Sequence, residues 1–241
     1  DTVELEKQYG TPLYVMSEEE IRSVCRRYVS SFQTCYQGNG KPIYASKAFC
    51  CKEICRIVLS EGLDLEVVSG GELYTALQAG VPAEQIHFQG NNKTISELTL
   101  AVENGVGDIV ADSISELYKL KKIAGQQGKT VSVSLRIKPG IDAHTHEFIR
   151  TGQIDSKFGI DLSSGEALEA IKLASQMDHI VLRGVHCHIG SQIFEKQPFV
   201  HAAEVMLDFL ARVKKVLGEE LEFLNLGGGF GIHYTERDDA I

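Results

Sequence analysis

The stretch VSVSLRIK, residues 131–138, alternates without a break. Val131, Val133, Leu135 and Ile137 fall on one side of an extended chain, and Ser132, Ser134, Arg136 and Lys138 on the other, because successive strand side chains point to opposite faces. A strand of an open doubly wound sheet is buried on both faces and reads as a nearly continuous apolar run. One apolar and one polar face suits the wall of a barrel. The apolar set meets the surrounding helices, and the polar set, near the strand's C-terminal end, suits a wet mouth.

Working outward, similar short runs lie on both sides: PIYASK (42–47), LDLEVVS (63–69), IHFQG (86–90), GDIVADS (107–113), VLRGVHCHIG (181–190) and LEFLNLGGG (221–229). The first four recur at intervals of roughly 22 residues, as short βα units do, without sequence similarity that would mark a repeat. Helix starts lie between them. Ser17-x-x-Glu20, which opens a helix to about Tyr36, Thr94-x-x-Glu97, Ser113-x-x-Glu116 and Ser163-x-x-Glu166 each place a hydroxyl and a carboxylate where they cap orphan backbone donors. Gly62, Gly80, Gly105, Gly128 and Gly218 punctuate the helix ends. Alternating strands and helices imply a parallel sheet, and about seven units favour a (β/α)8 TIM-type barrel over an open sheet. No eighth strand follows LNLGGGFG. Residues 1–40 are read as an N-terminal strand, TPLYVMS (11–17), and a helix, and residues 41–241 as the barrel, cut after its seventh strand. The chain therefore looks like part of a larger protein.

Composition narrows the function classes. The chain has 241 residues, is 43% hydrophobic and carries a net charge of −9, which suits one large core. Its 24 Lys and Arg are scattered, which argues against nucleic acid and anionic membrane surfaces. The apolar runs are too short to cross a bilayer, and the polar start DTVELEKQYG is no signal peptide. Six cysteines without a CxxC pair read as reduced thiols in a cytoplasmic compartment. Cys50, Cys51 and Cys55 fall in one expected helix, at spacings that do not favour zinc.

Barrel active sites lie at the C-terminal ends of the strands. Here those ends carry Lys47, Glu66 with Ser69, Asn91 with Asn92, Asp112, Arg136 with Lys138, His186 with His188, and Gly227, Gly228 and Gly229. Three successive glycines after the seventh strand can aim backbone N–H groups at a phosphate, although a tight turn also uses glycine. His186 and His188 share one face of their strand. They read as a metal pair, as rings against a planar cofactor, or as hydrogen-bonded core histidines; the following strand supplies no further ligands. His144 and His146 lie in a long loop after the fifth strand. In KPIYASKAF (41–49) a core strand ends in Lys47, and desolvating an ammonium is costly. A lysine on the same rim as a phosphate cradle fits covalent attachment of pyridoxal phosphate. The alternative is an ammonium that escapes to solvent or pairs with Glu66 or Asp112.

The segments YASKAF, VVSGGELYTALQAG, GNNKT, DAHTHEFIRTG, DSKFGI, HCHIGSQ and LNLGGGFGI together resemble the fold-type III pyridoxal-phosphate decarboxylases of basic amino acids, over nearly the whole chain and in the family's order. The resemblance implies a barrel of the alanine racemase-like class. It implies that Lys47 is the Schiff-base lysine, His188 the ring-stacking histidine, Ser191 a phosphate contact, Gly227, Gly228 and Gly229 the phosphate-binding glycines, and Arg136 an arginine near the ring, with no metal. Glu66 departs from the aspartate usual before VVSGGE. DAHTHEFIRTG with HIGSQ points to members that convert meso-diaminopimelate to L-lysine and carbon dioxide, usually as homodimers. The family's eighth strand, with its EPGR-like segment, and its β-rich second domain, which takes up the N-terminal strand and supplies a catalytic cysteine, have no counterpart here. Two alternatives are a decarboxylase of another basic amino acid and a non-catalytic pyridoxal-phosphate-binding barrel. A third, a metal-dependent hydrolase, would be separated by metal analysis.

Overall fold

The computed structural model describes residues 1–36, 38–141 and 157–236. Its strands are β1 (Ile43–Ala45), β2 (Asp64–Val67), β3 (Ile86–Phe88), β4 (Asp108–Ala111), β5 (Val131–Lys138), β6 (Ile160–Asp161), β7 (Ile180–His186) and β8 (Phe223–Asn225). The sheet runs β1-β2-β3-β4-β5-β7-β8, and two-residue β6 pairs β5 off that path. All these pairings are parallel. The seven runs expected from sequence are thus the seven strands of the main path, curled into an open barrel with no pairing between β8 and β1.

The helices are α1 (Thr2–Tyr9), α2 (Glu18–Cys35), α3 (Lys52–Ser60), α4 (Gly70–Ala79), α5 (Ile95–Asn104), α6 (Ile114–Gln126), α7 (Glu166–Ser175) and α8 (Gln197–Leu217). The Ser17 and Ser113 hydroxyls accept the N–H three residues on, and Thr94 with Glu97 forms the full reciprocal box. Gly80, Gly105 and Gly218 end their helices in the left-handed region, where the absence of a β-carbon removes the steric cost.

The core lies between the sheet and the helices. Phe88, Leu65, Ile109, Leu135 and Ile137 from the strands are fully buried with Leu73, Leu98, Leu117, Leu120, Ile171 and Phe209 from the helices. Each such side chain contributes about 1.5–3 kcal/mol on leaving water.

Several sequence expectations give way. The polar face of β5 is wet only in part: Ser134 is fully buried and Arg136 is 7% exposed, whereas Ser132 and Lys138 are half-buried. Ser134 donates to Asp108 Oδ1 at 2.9 Å inside the barrel, so the polar side chains partner one another. Ser163 does not cap α7. Asp161 accepts from its hydroxyl and from the Ser164 N–H, both at 2.7 Å, and Gly165, at φ 84°, becomes the N-cap. Cys50 and Cys51 precede α3, with Cys51 as its extended N-cap. Residues 11–17 pair with no strand among the described residues, and Tyr14 there is 97% exposed. Helix α1, which has no buried residue, carried no sequence signal used above. His144 and His146, with the segment DAHTHEFIRTG, lie outside the described residues.

Candidate active site

Strand β1 ends in a single 3₁₀ turn, Ser46–Ala48. Ser46 points inward and is fully buried; its hydroxyl donates to Glu72 Oε2 at 2.7 Å. The same oxygen accepts the Val68 N–H at 2.9 Å. Glu72, in the first turn of α4, therefore ties the turn after β1 to the end of β2. Lys47 stands on that turn. It is not the buried lysine that the sequence suggested: it is exposed, and makes no hydrogen bond or ion pair among the described residues. Its exposure on that turn removes the desolvation cost.

Lys47, Glu66, Arg136, His188, Ser191, Gly227, Gly228 and Gly229 all line one cavity, continuous with the open side of the barrel. Glu66 reaches it from β2, and burial raises its pKa against the opposing field of Lys47. Arg136 reaches it from β5, with its guanidinium carbon 4.6 Å from the centre of the Phe158 ring and Nη1 3.6 Å from Asp112 Oδ1. His188 follows β7. Burial, then Lys47 and Arg136, pull its pKa down to about 4, so the ring is neutral at pH 7. His186 is 2% exposed, its Nδ1 is buried without a hydrogen-bond partner, and burial lowers its pKa well below the ordinary value. Among the described residues no three His, Cys, Asp or Glu side chains are grouped to hold a metal ion.

The three glycines differ in kind. Gly227 has φ 71°, its N–H donates to Asn225 Oδ1 at 2.8 Å, and a β-carbon there would press on the Cys187 carbonyl and His188 Nδ1. A β-carbon on Gly229, at φ 103°, would collide with the Gly190 carbonyl. Only at Gly228 would a β-carbon meet nothing within 4 Å. The Gly228 N–H makes a long 3.4 Å contact with His188 Nδ1, and the Gly229 N–H has no partner among the described residues. Gly227 and Gly229 thus lock the turn against the 187–190 backbone and leave open space at Gly228. The unpartnered Gly229 N–H, open space at Gly228, an orphaned polar atom on His186 and an exposed amine fit a planar phosphorylated aldehyde.

Sequence reasoning missed Glu72. The signal was present, since Ser69-x-x-Glu72 repeats the box that marks other helices, and the Ser69 hydroxyl accepts the Glu72 N–H. Its second task, gripping Ser46 across 26 residues, has no local signature. Lys93, the buried lysine on this side of the barrel, was also passed over.

Comparison with known proteins places the chain in a family. The model of the family "Pyridoxal-dependent decarboxylase, pyridoxal binding domain" matches residues 5–241. Diaminopimelate decarboxylase of Bacillus methanolicus is 48% identical over 241 residues, covering 100% of this chain and 56% of that protein. The Bacillus subtilis (strain 168) protein of the same name is 47% identical, covering 100% and 55%. The crystal structure of diaminopimelate decarboxylase from M. jannaschii in complex with L-lysine superposes with a TM-score of 0.89 at 41% identity, covering 99% of this chain and 56% of that one. The chain spans about half the length of the relatives it matches. It belongs to the pyridoxal-binding domain family of the pyridoxal-dependent decarboxylases.

Proposed function

We propose that this chain is the cofactor-binding part of an enzyme that removes carbon dioxide from meso-diaminopimelate to give L-lysine. The observation that carries the reading is the exposed Lys47 amine, in one cavity with the open, donor-bearing turn at Gly228 and Gly229. Pyridoxal phosphate, the family's cofactor, supplies an electron sink for the carbanion left when a carboxylate departs.

Lys47 is the covalent carrier of the cofactor. The N–H groups of Gly228 and Gly229, with the Ser191 hydroxyl, hold the phosphate. His188, neutral at pH 7 because its pKa lies at about 4, offers an uncharged flat face to the ring. Arg136 and Glu66 bring opposite charges to the rim. Glu66 faces Lys47 and Arg136, whose fields favour its carboxylate form against the burial that disfavours it.

The substrate assignment is supported by relatives named diaminopimelate decarboxylase and by L-lysine in the M. jannaschii structure. The whole enzyme is read as a cytoplasmic homodimer, as the resemblance implies. No helix among the described residues is long and apolar enough to cross a membrane. The lysine/ornithine and arginine decarboxylases at 22–23% identity share the fold alone. The test is carbon dioxide release by the full-length protein from meso-diaminopimelate, ornithine and arginine. Release from the first only is expected; faster release from either of the others would replace the substrate assignment.

A further inference from the structure

The lysine buried beside the site is Lys93, in the loop after β3. Its side chain is 1% exposed. Nζ donates to the Gly90 carbonyl at 2.6 Å and the Val110 carbonyl at 2.8 Å, and lies 2.7 Å from Oε1 of Glu116, itself 4% exposed. The Glu116 contact is an ion pair by distance without the angles of a hydrogen bond. Three pieces of chain meet at this ammonium: the loop after β3, the end of β4 and the first turn of α6.

Asp112 follows Val110 by two residues. Its Oδ1 is buried, makes no hydrogen bond, and lies 3.6 Å from Arg136 Nη1. That distance is too long for a bidentate clamp. Arg136 is held instead by stacking on Phe158 and by the fields of two acids, Asp112 and Glu66. Glu116 and Asp112 act on Lys93, Asp112 and Glu66 on Arg136, and Lys47 on Glu66. A guanidinium placed by a loose contact is sensitive to small shifts of its carboxylate. Lys93 grips the Val110 carbonyl two residues before Asp112. A buried ion pair can often be exchanged for apolar residues without loss of stability, but apolar residues cannot bind two loop carbonyls.

We propose that Lys93 and Glu116 are a positioning pair that, through Val110 and Asp112, fixes Arg136 at the cofactor site. The inference rests on the reading of that site as the pyridoxal-phosphate site. The test uses the full-length protein with Lys93→Met/Glu116→Met, which leaves neither charge buried alone, Arg136→Met, and all three changes together. Pyridoxal phosphate dissociation is read from its visible absorbance, and ring orientation from visible circular dichroism of the bound cofactor. The double variant and Arg136→Met should each weaken binding about tenfold, and the triple variant should bind no worse than Arg136→Met, because residues acting through one contact are not additive. The double variant's visible dichroism should match that of Arg136→Met. If the losses multiply to about a hundredfold, the pair acts on general stability and the proposal falls. It falls also if the double variant binds as the wild type does. Should the double variant not fold, Lys93→Gln/Glu116→Gln, which also leaves neither charge buried alone, replaces it in the same cycle, with the same two outcomes. Absence of cofactor binding by the wild type would overturn the underlying reading, and this inference with it.

Discussion

The Gly229 α-carbon packs so closely on the Gly190 carbonyl that a β-carbon could not be added, whereas one on Gly228 would meet nothing within 4 Å. Neighbouring glycines therefore do different work, and substitution separates the two. Gly229→Ala meets both the overlap and a φ of 103°, and should lower stability by about 2–4 kcal/mol, seen as a drop in thermal midpoint. Gly228→Val should keep the thermal midpoint and weaken pyridoxal phosphate at least tenfold more than unphosphorylated pyridoxal, because the added bulk enters the space assigned to the phosphate. Equal weakening of both ligands would remove Gly228 from the cradle.

Lys47 is exposed on a turn whose neighbouring Ser46 is fully buried. The anchored neighbour fixes the turn while the lysine keeps its reach. Borohydride reduction of the cofactor-loaded protein should leave a phosphopyridoxyl group on the peptide carrying Lys47, with none on those carrying Lys52, Lys93 or Lys138. Lys47→Ala should lose that label and about 10³-fold or more of decarboxylation. A label that persists elsewhere at full yield would displace Lys47 from its role.

The parallel sheet was legible because alternation and capping are local. VSVSLRIK declares its two faces, and the Thr94 box forms as the sequence spacing requires. What was not legible is what happens between elements. Arg136 and Ser134 sit on the expected face but are buried, since Asp108 and Asp112 come from another strand to meet them. The environments of Lys47 and Lys93 were not legible for a similar reason. Strand pattern placed a lysine at the end of β1, but not that it lines an open cavity where its ammonium stays exposed, and only the carbonyls of Gly90 and Val110 make the inside tolerable for Lys93. The glycine run was read as one cradle because its chemical uniformity hides that two of its members are pressed against the 187–190 backbone.

Glu72 offers a test of how the turn is held. Its Oε2 takes both the buried Ser46 hydroxyl and the Val68 N–H. Glu72→Ala strands both donors, at about 1–3 kcal/mol for each buried group. Glu72→Gln retains one acceptor oxygen and should recover most of the stability. In Glu72→Ala we expect a lowered thermal midpoint together with slower cofactor attachment at Lys47, measured by the rise of visible absorbance after mixing. Attachment at the wild-type rate in a destabilised protein would show that the turn does not need this support.

His87 makes the stability of the barrel depend on pH. It lies on β3 between two acids, with Nε2 3.4 Å from Asp64 Oδ2 and Nδ1 3.8 Å from Asp108 Oδ2. Burial alone would lower its pKa, but Asp108 and Asp64 outweigh burial and push it up to about 9. Asp64 moves the other way: burial would raise its pKa, and the hydrogen bonds from His87 and Lys41 more than offset that. A histidine whose folded pKa is raised binds a proton that the unfolded chain has released, so its stabilisation is complete below the unfolded value near 6.5 and is lost as pH rises through about 9. A rise of that size corresponds to roughly 3 kcal/mol at the low-pH plateau. Asp64, with its lowered pKa, contributes above its unfolded value, and that part fades as pH falls through its folded one. His186 and His188, buried neutral with lowered pKa, cost stability as pH falls below about 6.5. Denaturant midpoints should therefore be highest at about pH 6.5–7 and fall toward pH 9, and His87→Gln should show a flatter profile there and lower stability at pH 6. A wild-type profile that stays level from pH 6.5 to 9, superposing on that of His87→Gln, would mean that the histidine is neutral in the folded barrel and that the two acids are balanced by other charges.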